Sequence, residues 1–299
     1  MDRRWSGAAV VLVGLILAAI VPVAVVGRHI AGSPTALDVP GPPAAGDCLI
    51  GPIGASKGDT YPTLVAAPCT GLRMGEVIST YTDQRRPSVR TGDGYPNDDA
   101  CTSAIDGYLG HTLGPSAGGW ELPTTLAGVV EQPSALQAAV GQHWLACVLV
   151  LLGPDQSPTS WSGTARNALA PGVRPPAGFA TCLRMSSLIN YQRVDCARAH
   201  AAEAFGLMST ARDGLTQRGL DASCLTQVRR RTAMPDPTAG GVLSVKAVAV
   251  HGADGPPRAG LGSATDDSGF ALCELVTSAG RTLVGPLLGL GTGPVPLSG

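Results

Sequence analysis

Eight cysteines fall into two successive sets of four: Cys48, Cys69, Cys101 and Cys147, then Cys182, Cys196, Cys224 and Cys273. The gaps are 21, 32 and 46 positions in the first set and 14, 28 and 49 in the second. The flanks agree as well. GDCLI (46–50) resembles ATCLR (180–184), and APCTGLRMGEVIST (67–80) resembles VDCARAHAAEAFGL (194–207). Glu76 and Glu203 each stand seven positions after their cysteine. Four cysteines in the same order with similar flanks read as an internal duplication, each copy one supersecondary unit.

An even number of cysteines without a C-x-x-C pair points to disulfides in an oxidising compartment, not to thiol redox chemistry. Pairing within each set leaves three connectivities per unit. Cys182 and Cys196 bracket LRMSSLINYQRVD, whose centre, Ser187 to Asn190, is turn-like. They then face each other near the open end of a hairpin, within disulfide reach. Cys48 and Cys69 do the same across a longer GASKGD turn. By elimination Cys101 pairs with Cys147 and Cys224 with Cys273, tying a helix to a later strand. Each link would stabilise by roughly 3–4 kcal/mol through lost chain entropy.

Ala8 to Gly27 is a run of twenty uncharged residues, enough for a helix to cross roughly 30 Å of hydrocarbon. Arg3 and Arg4 precede it, which favours a cytoplasmic N-terminus and an exported body. A cleaved secretory signal would have an apolar core of only about 7–15 residues. Cleavage after Ala24 would also put Pro22 three positions before the cut. The expected layout is a cytoplasmic N-terminus (1–7), a transmembrane helix (8–27), a spacer (28–46), a first unit (47–169), a linker (170–178), a second unit (179–290) and a tail (291–299). The expected location is the cell membrane, single-pass, with the C-terminal body outside the cytoplasm.

Forty glycines and 25 prolines resist long helices, and the apolar runs are short and rich in valine or leucine. CTSAIDGYLG (101–110) and CLTQVRRRTA (224–233) read as short helices behind cap candidates Asp98 or Asp99 and Asp221. WLACVLVLLG (144–153) and FALCELV (270–276) read as strands carrying the last cysteine of each set. PSALQAAVG (133–141) adds a helical turn, and 236–269 reads as a loop rich in Gly, Pro and Ala. The expected class is α+β: an N-terminal transmembrane helix, then two small disulfide-linked units, each an antiparallel sheet with a packed helix.

A net charge of −1 excludes the basic footprint of a nucleic-acid binder. Neither G-x-S-x-G nor H-E-x-x-H occurs, and there is no Walker A loop. Cys196, His200 and Glu203 form C-x-x-x-H-x-x-E, a donor set suited to a metal. On a strand, however, positions three and four apart do not converge, and Arg73 stands where the first unit would need the histidine. The residues read instead as a polar pair beside a hairpin, with Arg73 or a protonated His200 pairing with Glu76 or Glu203. No catalytic residue, metal or cofactor is expected. QRRPSVR (84–90) suits an exposed loop, and Arg229 to Arg231 suit a helix C-terminus.

VDCARAHAAEAF (194–205), APCTGLRMGEV (67–77), the GDC opening at 46–48 and PSALQAAVGQHWLAC (133–147) together resemble the septum-formation domain family of actinobacterial envelope proteins. The resemblance covers 46–152 and, more weakly, 178–290, as two tandem copies. It implies a role near division or cell-wall assembly and brings no catalytic residues. The expected function is a membrane-anchored, extracytoplasmic, non-catalytic interaction or scaffolding protein of the cell envelope. Its expected partners are the lipid bilayer and envelope or division proteins. Glu76, His200 and Glu203 are the motif residues with an interaction role. The rival functions are an exported hydrolase or transferase using His200 with Glu203, and a sensor for an envelope anion using Arg85, Arg86 and Arg90.

Overall fold

Alternation along one strand explains how the first sheet buries both faces. In Trp144–Leu152, Trp144, Ala146, Val148 and Val150 join one apolar cluster, while Cys147, Leu149 and Leu151 join another. A strand sends successive side chains to opposite faces, so a run apolar at every position belongs at a sheet's centre. The computed structural model describes residues 38–54, 61–82, 99–110, 119–123, 125–185, 192–210, 214–251, 258–259, 261, 269–278 and 280–298. The segment 8–27, the basic loop 84–90, Asp98 and the turn 187–190 lie outside them.

The first half comprises β1 (Cys48–Ile50), β2 (Val65–Ala67), β3 (Gly75–Thr82), helix α1 (Asp99–Leu109), β4 (Leu126–Glu131), helix α2 (Ala135–Ala139), β5 (Trp144–Leu152) and β6 (Pro158–Thr159). The second comprises β7 (Thr181–Leu183), β8 (Arg193–Val194), β9 (Ala202–Ser209), helix α3 (Gln217–Thr232), β10 (Leu243–His251), β11 (Arg258–Ala259) and β12 (Phe270–Thr277), followed by a β13 (Thr282–Leu283) and β14 (Leu297–Ser298) pair. The first sheet runs β2-β1-β3-β5-β4, with β6 on β5; the second runs β8-β7-β9-β12-β10-β11. The first five strands of each follow the same order, a hairpin, a central strand followed by a helix, and a returning pair, while the sixth differs: β6 pairs with β5 and β11 with β10.

Local chemistry sets the helix ends. Ser134 and Gln137 form a capping box at α2, satisfying two otherwise orphaned donors. Helix α3 begins earlier than Asp221 suggested, because the Thr216 hydroxyl accepts from Gly219 N at 3.1 Å and caps it. It ends at Ala233 in the left-handed region. The segment 236–269, read as a loop, contains β10, whose Leu243, Ala247 and Ala249 enter the main core. The last spacer residues are held against the fold: Gln137 Nε2 and Gln142 Nε2 both donate to Pro40 O, and Thr80 Oγ1 donates to Pro43 O.

The two sheets share one interior. Trp120, from the first half, is 1% exposed, and its Nε1 donates to Ser223 Oγ on α3 at 3.0 Å. It lies over Gly206 of β9, where an added Cβ would come within 2.8 Å of the indole. Beside it, Glu121 and Leu207 exchange backbone hydrogen bonds at 2.8 Å. Trp161 packs edge-on to Phe179 at 5.1 Å. One apolar cluster therefore draws on both halves, and residues 40–299 form a single compact unit.

The expected fold class and location are corrected on these findings. The described residues are mostly antiparallel sheet with few helices, and the two sheets share a common core. Among the described residues no helix is long and apolar enough to cross a membrane. The longest, α3, has 16 residues and ends in Arg229, Arg230 and Arg231. At 1.5 Å per residue it reaches about 24 Å, short of roughly 30 Å of hydrocarbon. The single-pass anchored architecture is therefore not the one described.

Candidate functional site

The structure pairs Cys48 with Cys69, Cys101 with Cys147, Cys182 with Cys196 and Cys224 with Cys273, with Cα separations of 5.2, 5.5, 5.3 and 5.3 Å. In each half one bond pins the opening hairpin and the other ties the helix to the last long strand. The hairpin cystine then meets a glutamate across the sheet. Glu76 on β3 lies opposite Cys48, and Glu203 on β9 lies opposite Cys182.

Both glutamates are buried, at 2% and 1% exposure, and both grip the segment that follows their sheet. Glu76 Oε2 accepts from Ala165 N at 3.0 Å. Glu203 accepts from Leu287 N at 2.5 Å and from Leu288 N at 2.9 Å. The gripped segments then cap the helices. Asn167 N and Leu169 N donate to Tyr108 O and Leu109 O, as Gly289 N and Gly291 N donate to Arg231 O and Thr232 O. Such bonds satisfy the carbonyls that a helix C-terminus leaves open. Asn167 and Gly289 both adopt positive φ, 56° and 65°.

The halves differ in what accompanies the carboxylate. In the first, Arg73 Nη1 donates to Glu76 Oε1 and to Cys48 Sγ, each at 3.0 Å, and Nη2 donates to Cys69 O at 2.7 Å. The guanidinium also lies 4.8 Å from the centre of the Trp161 ring, a cation–π distance. In the second, His200 takes the place of Arg73. Its Nδ1 meets Arg198 O at 2.7 Å, and its Nε2 is buried without a partner. Burial holds the His200 pKa below the ordinary value, against the opposing effects of Arg198 O and Asp195. Burial pushes Glu203 up to about 8, although the Leu287 and Leu288 N–H groups favour its anion. The His200–Glu203 ion pair drawn from the sequence is thus replaced by a neutral imidazole beside a carboxyl held by backbone.

Strand spacing suggested that His200 and Glu203 would not meet; a bend at Ala201 brings them together. Ligand-type atoms of Cys182, His200 and Glu203 lie within 4.8 Å of one another. Cys182 is bonded to Cys196, however, and offers no thiolate, the form in which cysteine ligates metals. That leaves one imidazole and one carboxyl, the latter already accepting two hydrogen bonds. In the oxidised protein the cluster works as a clasp, with His200 and Glu203 each 1% exposed.

The open surface beside the first clasp is a cleft of about 410 Å3 between the end of β5 and the β7–β8 hairpin. Leu72, Leu152, Pro154 and Trp161 are part of its apolar lining, and Arg193 and Asp195 are its charged lining residues. Leu72 is 67% exposed. Arg193 Nη2 donates to Leu152 O at 2.8 Å, fixing one rim to the other half. The volume lies in the range of small-ligand and peptide-anchor sites. Sequence reasoning missed this cleft because its walls come from segments more than a hundred positions apart. Arg85, Arg86 and Arg90 lie outside the described residues.

A family model described as "Septum formation" matches residues 45–231. The match is one continuous stretch running from the first GDC to the end of α3, across both halves. No curated protein and no solved structure matches the chain.

Proposed function

The chain belongs to the septum-formation family, and within that role we propose that it works outside the cytoplasm as a non-catalytic interaction module. The observation that carries this reading is where the charged motif residues are used. Arg73, Glu76, His200 and Glu203 are all buried and hold loops and cystines in place, so they are withheld from any substrate. What is offered to a partner is the adjoining cleft, lined by the exposed Leu72 and by Arg193 and Asp195. Four disulfides support a site of action outside the reducing cytoplasm. The common strand order of the halves supports an origin by duplication.

A photo-crosslinking amino acid at Leu72, in dividing cells, tests the reading. Cross-links to division or cell-wall assembly proteins, lost when Asp195→Arg reverses a charge in the cleft lining, are the expected result. Val140, 58% exposed at the end of α2, is the control position. The same cross-links from both positions, or normal septa and envelope in cells lacking the protein, would overturn it.

A further inference from the structure

The second clasp differs from the first in leaving a ligand nitrogen over. His200 Nδ1 meets Arg198 O at 2.7 Å. A carbonyl only accepts, so Nδ1 carries the proton and the neutral ring keeps its free lone pair on Nε2. That atom is buried without a hydrogen-bond partner among the described residues. Histidines that ligate metals are held in this way, one ring N–H on a backbone carbonyl or carboxylate and the other nitrogen on the ion. Arg73, at the matching place in the first half, has only donors to offer, and it spends them on Cys48 Sγ and Glu76 Oε1.

Backbone pairing, not the cystine alone, holds Cys182, His200 and Glu203 with their ligand-type atoms within 4.8 Å of one another. Cys182 lies opposite Glu203 in the β7–β9 register. His200 exchanges backbone hydrogen bonds with Leu283 at 3.0 and 2.8 Å. Glu203 is anchored by Leu287 N and Leu288 N, and each carboxylate oxygen keeps a second lone pair. Bonds to zinc of about 2.1 Å from nitrogen and 2.3 Å from sulfur set tetrahedral ligands roughly 3.5–4 Å apart, so the three atoms need to close by only about an ångström. Such an ion needs no standing cavity, since it sits between its ligands once the two sulfurs are free to part. In the oxidised chain Cys182 is bonded to Cys196; with that bond cleaved, each offers a thiol. Cys196 also belongs to the lining of the 410 Å3 cleft, which brings solvent-borne thiols and ions next to the pair.

We propose that the second clasp is a thiol-gated zinc site: with Cys182 and Cys196 as thiols, before oxidation or after reduction, Zn2+ is bound by both sulfurs, His200 Nε2 and Glu203. Thiolate, imidazole and carboxylate in a tetrahedral set suit zinc. Reduction takes two molecules of a monothiol such as glutathione. They are oxidised to one disulfide, and Cys182 and Cys196 take up the two electrons and two protons. Zinc then displaces both thiol protons to water, together with the proton of a protonated Glu203. Disulfide and ion exclude one another, so the same residues close the hairpin either covalently or through the metal.

The test poises the full chain in a glutathione buffer with and without buffered free zinc, traps thiols by alkylation and reads each cystine by peptide mass spectrometry. At zinc ten times the Kd, the thiol-to-disulfide ratio of Cys182–Cys196 should rise about tenfold. The ratio of Cys48–Cys69, which has Arg73 in place of the histidine, should not move. Co2+ in place of zinc should give the d–d absorption of a tetrahedral site with a thiolate charge-transfer band. His200→Gln should remove both effects. So should His200→Arg, which installs the residue that the first half carries, and the melting temperatures of the oxidised variants check that they fold. The comparison of the two hairpin cystines in the unaltered chain stands without either variant. A Cys182–Cys196 ratio that zinc leaves unchanged overturns the proposal. So does an equal shift at Cys48–Cys69, or one that survives in folded His200 variants, because thiols alone would then hold the ion.

Discussion

Arg73 and His200 occupy the same place in the two halves. Arg73 exchanges backbone hydrogen bonds with Trp161, four positions before Ala165, whose N–H Glu76 captures. His200 exchanges them with Leu283, four positions before Leu287, whose N–H Glu203 captures. One framework thus holds its buried carboxylate in two ways, with a cation in the first half and with paired amides in the second.

Removing the cation should be severe. Arg73→Met leaves Glu76 buried beside the cystine without its partner, a change expected to cost about 3–5 kcal/mol. Glu76→Gln in the same chain should recover part of that loss. Urea unfolding of the single and double variants measures both, and equal stabilities for the two would show that the pair is not coupled.

The second clasp should make stability depend on pH. Glu203 titrates near 8 in the folded chain against an ordinary 4.5, so between those values the folded state keeps a proton that the unfolded state has released. Its contribution is complete below about pH 4.5 and is lost as pH rises toward about 8, a decline on the order of a few kcal/mol. Glu131, pushed up to about 7 by burial against the Gly54 N–H, acts in the same sense. Glu203→Gln should flatten the fall measured between pH 5 and pH 8. An unchanged slope would place the titration elsewhere.

The disulfides should rank by the loops they close. Losing Cys224–Cys273, which spans 49 positions, should cost about 4 kcal/mol by chain entropy. Losing Cys182–Cys196, which spans 14, should cost about 3 kcal/mol. Paired cysteine-to-alanine variants compared by denaturant midpoint test the order. The reverse order would mean that the Cys182 link supports the Glu203 clasp beyond its loop entropy.

Trp120 should be a point where both halves fail together. Trp120→Ala empties the pocket over Gly206 and should cost about 3–5 kcal/mol. Gly206→Ala, which forces a methyl against the indole, should cost about 1–3 kcal/mol. Hydrogen exchange then reads the coupling: protection should fall in β9 and α3 as well as around Trp120. Loss confined to 119–123 would mean the indole is a surface lid.

Much of this was legible where one residue type has one local use. The order of the cysteines, the helical turn at 133–141 and the unbroken apolar run of β5 each declare themselves within a few positions. Strand β10 was missed because Ala247, Val248, Ala249 and Val250 give no polar–apolar alternation, and the Gly- and Pro-rich flanks suggested a loop. The motif glutamates could be picked out, but their partners could not. Ala165, Leu287 and Leu288 contribute backbone N–H groups, which every residue except proline possesses. The bend at Ala201 that joins His200 to Glu203 left no mark in composition. Nor did the seam, because Trp120, Gly206 and Ser223 meet only after both sheets have formed.

That meeting sets a constraint on the order in which the molecule can be completed. A nascent chain appears from its N-terminus, and domains tend to fold as they emerge. All four cysteines of the first sheet are available before Cys182 exists, so its two cross-links can close early. Trp120 then has no berth until Gly206, Ser223 and Cys273 have been synthesised. The half-made molecule is a covalently finished sheet with a bare indole, a sticky intermediate until its own second half arrives to cover it.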